Sequence, residues 1–136
     1  GAGTVTITYG GQTRVRWGYI IFETTGHDTT TPISETNTGQ GTADTLSVAL
    51  TDFVVGNMNI GVVESHDATG ITAGANETEL SEVGSGGAGP VRVQVEYGAD
   101  TTVNWSTLAT TRNIGVAAEI AAAAATGVRA QASFIG

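Results

Sequence analysis

The chain has 136 residues, with thirteen acids against five bases, for a formal net charge of −8. All five bases are arginine, and an acidic surface of this kind repels phosphate, so neither nucleic acid nor anionic lipid is an expected partner. Cysteine is absent, which excludes disulfides, a thiol nucleophile and thiolate metal ligands.

The length predicts a single domain spanning residues 1–136. Charged residues make up 13%, about half the usual share, and threonine and glycine take their place. A surface built on hydroxyls is typical of proteins outside cells or in rigid assemblies. No apolar run approaches the roughly 20 residues of a membrane span, and no basic segment precedes an apolar one. Membrane insertion is therefore not expected. A start at Gly1 without methionine is expected of a processed product or a piece of something longer.

Alternation of apolar and polar residues with period two predicts strands along most of the chain. Thr4–Tyr9 places Val5, Ile7 and Tyr9 on one face; Gly10-Gly11 then signals a turn. Arg14–Glu23 follows, with Val15, Trp17, Tyr19 and Ile21 inward and Ile20 and Phe22 on the other face. Residues 26–41, rich in threonine and holding Pro32, read as a long connecting loop. Thr45–Thr51 alternates through Leu46, Val48 and Leu50.

Phe53–Val63 is almost continuously apolar, as a central strand would be, with Gly56 and Gly61 marking bulges or close backbone approach. Ser65–Asn76 reads as loop or short edge strand, Thr78–Val83 as a strand broken by charge, and Gly84–Gly89 as a connector. In Val91–Tyr97 the valines and the tyrosine form a dry face, opposite Arg92, Gln94 and Glu96. Thr101–Ser106 and Arg112–Ala121 complete the set, and Val128–Ile135 alternates once more. The alanines after Glu119 favour helix by propensity. The alternation favours strand to about Ala121, with Ile114, Val116, Ala118 and Ile120 inward and Gly115, Ala117 and Glu119 outward. Eight or nine strands without substantial helix predict an all-β fold, an antiparallel β-sandwich, with a jelly roll as its expected form.

Asp28-Thr29-Thr30-Thr31-Pro32-Ile33 after a hydrophobic strand, then Phe53–Val63, then Val103-Asn104-Trp105-Ser106 before Ile114–Ala121, form an ordered set of motifs. This order resembles a diffuse group of jelly-roll-like sandwich domains in structural proteins of tailed phages and in bacterial surface proteins. The resemblance covers about Thr4 to Ala121. Such domains carry further strands upstream of the one matching Thr4–Tyr9 and stop near the alanine-rich strand. The resemblance thus implies an exposed edge that the tail, residues 128–136, fills by docking in its own subunit or a neighbour.

Chemistry-bearing residues are few. His27-Asp28 and His66-Asp67 each follow an expected strand, and with Glu64 they form a divalent-metal site if their loops share one end of the sandwich. The competing reading is an Asp capping its own turn beside a solvated histidine, and no metal or other cofactor is expected. Ser65 beside His66 lacks the geometry of a catalytic pair, since neighbours on an extended chain point apart. Glu77, Glu79 and Glu82 are candidate paired acids, in a stretch expected to be exposed. Trp17, Tyr9, Tyr97 and Trp105 fall on inward phases, which favours core over a sugar-stacking platform. No enzymatic activity is expected.

The expected function is structural: a subunit or decoration domain of a phage virion or similar extracellular assembly, with self-association or other structural subunits as partners. The expected interface residues are Arg14, Arg16, Arg92 and Arg129, suited to bidentate pairing with carboxylates, and Val128, Ala130, Ala132 and Phe134 of the tail. A carbohydrate-binding surface module with a surface glycan as ligand, and a filament subunit joined by strand donation, are the alternatives.

Overall fold

A computed structural model describes residues 20–85 and 90–123. These hold eight strands and no helix: β1 (Ile33–Gly41), β2 (Leu46–Ala49), β3 (Met58–His66), β4 (Thr72–Ala73), β5 (Thr78–Gly84), β6 (Val91–Gly98), β7 (Thr102–Ser106) and β8 (Arg112–Ile120). Every pairing between them is antiparallel. Five strands form one sheet in the order β1-β8-β3-β6-β5, and three form a second in the order β2-β7-β4. The fold is an all-β antiparallel sandwich. The expected strand Thr4–Tyr9, most of Arg14–Glu23 and the tail strand Val128–Ile135 lie outside the described residues, as do 86–89 of the expected connector.

Residues 26–41, expected to be a loop, contain β1, a nine-residue edge strand. Its sequence, Ile-Ser-Glu-Thr-Asn-Thr-Gly-Gln-Gly, has no apolar alternation because both of its faces are largely solvated. What holds it is the ladder to β8, which runs from Ile33 opposite Ile120 to Gly41 opposite Asn113. The expected central strand Phe53–Val63 is displaced: β3 begins at Met58, and the apolar residues before it belong to a turn in which Val55 is fully exposed. Gly56 lies in that turn with φ of 104°, a conformation open to glycine and strained for other residues.

Two strand faces are reversed relative to expectation. On β8, Asn113, Gly115, Ala117 and Glu119 are buried, while Ile114 and Val116 are 39% and 45% exposed. The small sheet explains the reversal, because it supplies the bulk of the core: Leu46, Val48, Leu50, Val103 and Trp105. A methyl built on Gly115 would lie 2.9 Å from Leu46 Cδ2 and 3.0 Å from Trp105 Cζ3, and one on Gly61 would lie 2.6 Å from Trp105 Cζ2. With an indole in the gap, the facing strands must present glycine and alanine, and their larger side chains turn the other way.

On β6, Gln94 and Glu96 turn inward between the sheets and are wholly buried, although Val95 behind them is buried too. Around Gln94 the polar side chains of β6 and β5 bond the backbone of the segment between β3 and β4. Gln94 Nε2 donates to the Ile71 carbonyl at 3.0 Å, the Ile71 N–H donates to Glu82 Oε2 at 2.7 Å, and Arg92 Nε donates to the Ala68 carbonyl at 3.1 Å. The space between the layers is therefore apolar under the middle of β8 and β3, with Asn59, Ser65, Asn113 and Glu119 at their ends, and polar under β6 and β5.

Candidate functional site

The two His-Asp pairs do not meet. His27 bridges to Ala122 beyond one end of β8, whereas His66 is opposite Arg112 at the other. Ten residues of strand separate them, roughly 30 Å. Asp28 Oδ1 accepts the Thr30 and Thr31 N–H groups at 2.6 and 3.0 Å, and these bonds hold its carboxyl below the usual range. His66 Nδ1 lies 3.0 Å from Asp67 Oδ2, and Glu64 pairs with Arg112 at 3.3 Å. Ser65 Oγ, fully buried, donates to Asn113 Oδ1 at 2.6 Å and accepts the Ala109 N–H, so it is a structural link between β3 and β8. Among the described residues no group of three or more carboxylates and imidazoles is placed to hold a metal ion.

Of the expected interface residues only Arg92 lies among the described ones; Arg14, Arg16, Val128, Arg129, Ala130, Ala132 and Phe134 fall outside them. Arg92 is used within the chain, pairing through Nη1 with Glu82 on the adjacent strand. Trp105 is buried in the core, as its phase predicted, and presents no surface for stacking a sugar.

The large sheet has an outer face that the alternation did not foretell. Residues opposite one another in an antiparallel ladder share a face, so the registers can be followed across all five strands. One row runs Thr38, Val116, Val62, Val95, Ser81; the next runs Gln40, Ile114, Glu64, Val93, Val83. Ile33, Ile120 and Met58 form a third row toward the end of the sheet. Ile33 is 56% exposed, and Val83 joins Ile114 and Val116 among the exposed apolar side chains. The exposed apolar side chains thus lie on β1 and β8 and at Val83 on β5, while Val95 between them is buried and Glu64 interrupts the second row.

A second arrangement lies between the layers. Glu96 is 0% exposed, and neither carboxylate oxygen has a hydrogen-bond partner; the same holds for the two carboxylate oxygens of Glu77. Burial, then the Glu77 charge, pushes the Glu96 carboxyl up to about 8, with Glu79 and Asp100 adding to the rise and the nearby Gly74 N–H offsetting part of it. Burial and Asp100 likewise raise Glu77. Glu77 was expected in an exposed stretch; its carboxylate is instead covered, because the turn before β5 folds under β6. The signal available in the sequence was the polar phase of β6 itself, where the glutamine and glutamate could equally have been the inward set.

No protein-family model matches the chain, and neither does any curated protein or solved structure.

Proposed function

We propose that this protein is a structural subunit of a larger assembly, a virion shell or a comparable extracellular structure, and that it docks through the outer face of its five-stranded sheet. The observation that carries the reading is the set of exposed apolar side chains on one face of the sheet, Ile33, Ile114 and Val116 on the paired strands β1 and β8 and Val83 on β5. An apolar field of this kind on a strand surface is a place where another surface is excluded from water. Repetition of identical contacts makes modest interfaces durable in a symmetric assembly.

The strand order supports the jelly-roll form of the sandwich. In a jelly roll of eight strands the first pairs with the eighth, the second with the seventh, the third with the sixth and the fourth with the fifth. Here β1 pairs with β8, β2 with β7 and β3 with β6, and the fourth pair is replaced by β5 on β6. This architecture is frequent in capsid proteins, an analogy at the level of fold.

Sedimentation velocity over a range of concentrations tests the proposal, on the wild type and on Val116→Glu. The wild type is expected to form a discrete oligomer or larger polymer, and the variant to sediment as a monomer with its melting temperature nearly unchanged. A wild type that stays monomeric at the highest concentration, or a variant that assembles as well as the wild type, overturns it.

A further inference from the structure

The inter-sheet acidic region has a specific shape around Gly98. A methyl built on Gly98 would lie 3.1 Å from Asn59 Oδ1, 3.1 Å from the Asn76 carbonyl oxygen and 3.1 Å from Glu77 Cγ. Glycine here lets two carbonyl oxygens and the stem of Glu77 close tightly on β6, and they form a cradle whose carboxylate, that of Glu77, is turned toward Gly74. Asn59 is 0% exposed, and its Oδ1 has no partner. Its Nδ2 is turned the other way, donating to the Asp100 carbonyl and to Asp100 Oδ1 at 2.9 and 3.2 Å, which fixes the oxygen toward the cradle.

Asp100 is held by donors. Besides Asn59, Oδ1 accepts the Thr102 N–H, and Oδ2 accepts Asn76 Nδ2 at 3.2 Å. It therefore orders the amides around the cradle. Glu77 and Glu96, by contrast, carry unpartnered oxygens on adjoining elements, and Glu96 is two residues from Gly98 on the same strand face. Neighbouring Gln94 gives its amide to Glu79 Oε2 and leaves its own Oε1 unpartnered. Buried acceptors without donors are costly unless something positive joins them.

We propose that Asn59 Oδ1, the Asn76 carbonyl and the carboxylates of Glu77 and Glu96 bind a hard divalent cation of the calcium class in the cradle beside Gly98. Two carboxylates with amide and backbone carbonyls form an all-oxygen donor set, and calcium accepts six to eight such oxygens in flexible geometry, water filling the rest. Magnesium, smaller and slower to shed water, suits the set less well. The bound ion ties the turn before β5 to β6 and β3, joining the polar half of the sandwich where apolar contacts are missing.

The test uses the full chain, stripped with chelator and returned to buffer at pH 7. Calcium chloride is expected to raise the melting temperature by roughly 5–10 °C at saturation. Terbium is expected to show tryptophan-sensitised luminescence that calcium displaces and magnesium displaces poorly. Glu96→Gln keeps the shape, lifts the melting temperature of the stripped protein by removing the cost of keeping a buried carboxyl protonated at pH 7, and abolishes the calcium response. Gly98→Ala, whose methyl crowds Asn59 Oδ1 and the Asn76 carbonyl out of place, abolishes terbium luminescence. A stripped wild type that ignores calcium and terbium overturns the proposal, and so does a Glu96→Gln protein that responds as the wild type does. Should Glu96→Gln fail to fold, the wild-type titration and Glu77→Gln decide on the same criteria.

Discussion

Glu119 and Glu96 are two buried carboxylates on the inner face of one sheet, and they are treated in opposite ways. Glu119 Oε2 accepts Ser34 Oγ at 2.6 Å, and Oε1 accepts the Val54 N–H at 2.6 Å and Asn57 Nδ2 at 2.7 Å. Burial alone would raise its pKa, but these three donors outweigh that and hold it below the usual range. Its contribution to stability is accordingly full above the unfolded carboxylate pKa and is lost as pH falls through the lower folded value. Glu96 runs the other way. Its folded pKa of about 8 means that the folded state keeps a proton the unfolded state has released, so stability falls as pH rises from about 4.5 to 8. In chelator, unfolding free energies from urea titrations across that range should decline by at most about 1.4 kcal/mol per pH unit, and Glu96→Gln should flatten the decline. Glu119→Ala, which strands three donors, should cost about 2–3 kcal/mol at pH 7. A pH profile unchanged by Glu96→Gln would contradict this account.

At the scale of elements, legibility in the sequence depended on where the bulk of the core comes from. β2 and β7 were legible because Leu46, Val48, Val103 and Trp105 are large and alternate cleanly, and all four are buried. The extent of β8 was legible, but its phase was not, since alternation identifies the bigger side chains as the inner ones. Here Trp105 fills the gap, and its partners are Gly61, Gly115 and Ala117. β1 was missed for a related reason: an edge strand that buries little has no apolar period to read. The acidic cradle was invisible because its members come from β3, the turn before β5, β6 and the turn after it. Gly61→Ala places its methyl against Trp105 and Val103 and should lower stability by about 1–3 kcal/mol. Gly70→Ala, whose methyl meets nothing within 4 Å, is the control and should stay within about 0.5 kcal/mol. Equal urea midpoints for the two variants would refute the close approach of indole and backbone.

For the molecule as a whole, a net charge of −8 keeps copies of the chain apart in solution even though Ile33, Ile114, Val116 and Val83 are exposed. The uneven filling between its layers has a further consequence. Side-chain burial stabilises β3, β7 and β8 directly, whereas β5 is an edge strand resting on polar groups that water can replace. Amide hydrogen exchange should therefore be graded across the large sheet. The β3 and β8 amides should open only with global unfolding, and those of β5 through cheaper, local excursions that leave the rest intact. Uniform protection from β8 to β5 would show instead that the polar half is as cooperative as the apolar one. A graded pattern would mean that the domain has a slow side and a fast side. A partner seated over β8 and β3 would then grip the part of the molecule that never lets go, leaving β5 free to breathe.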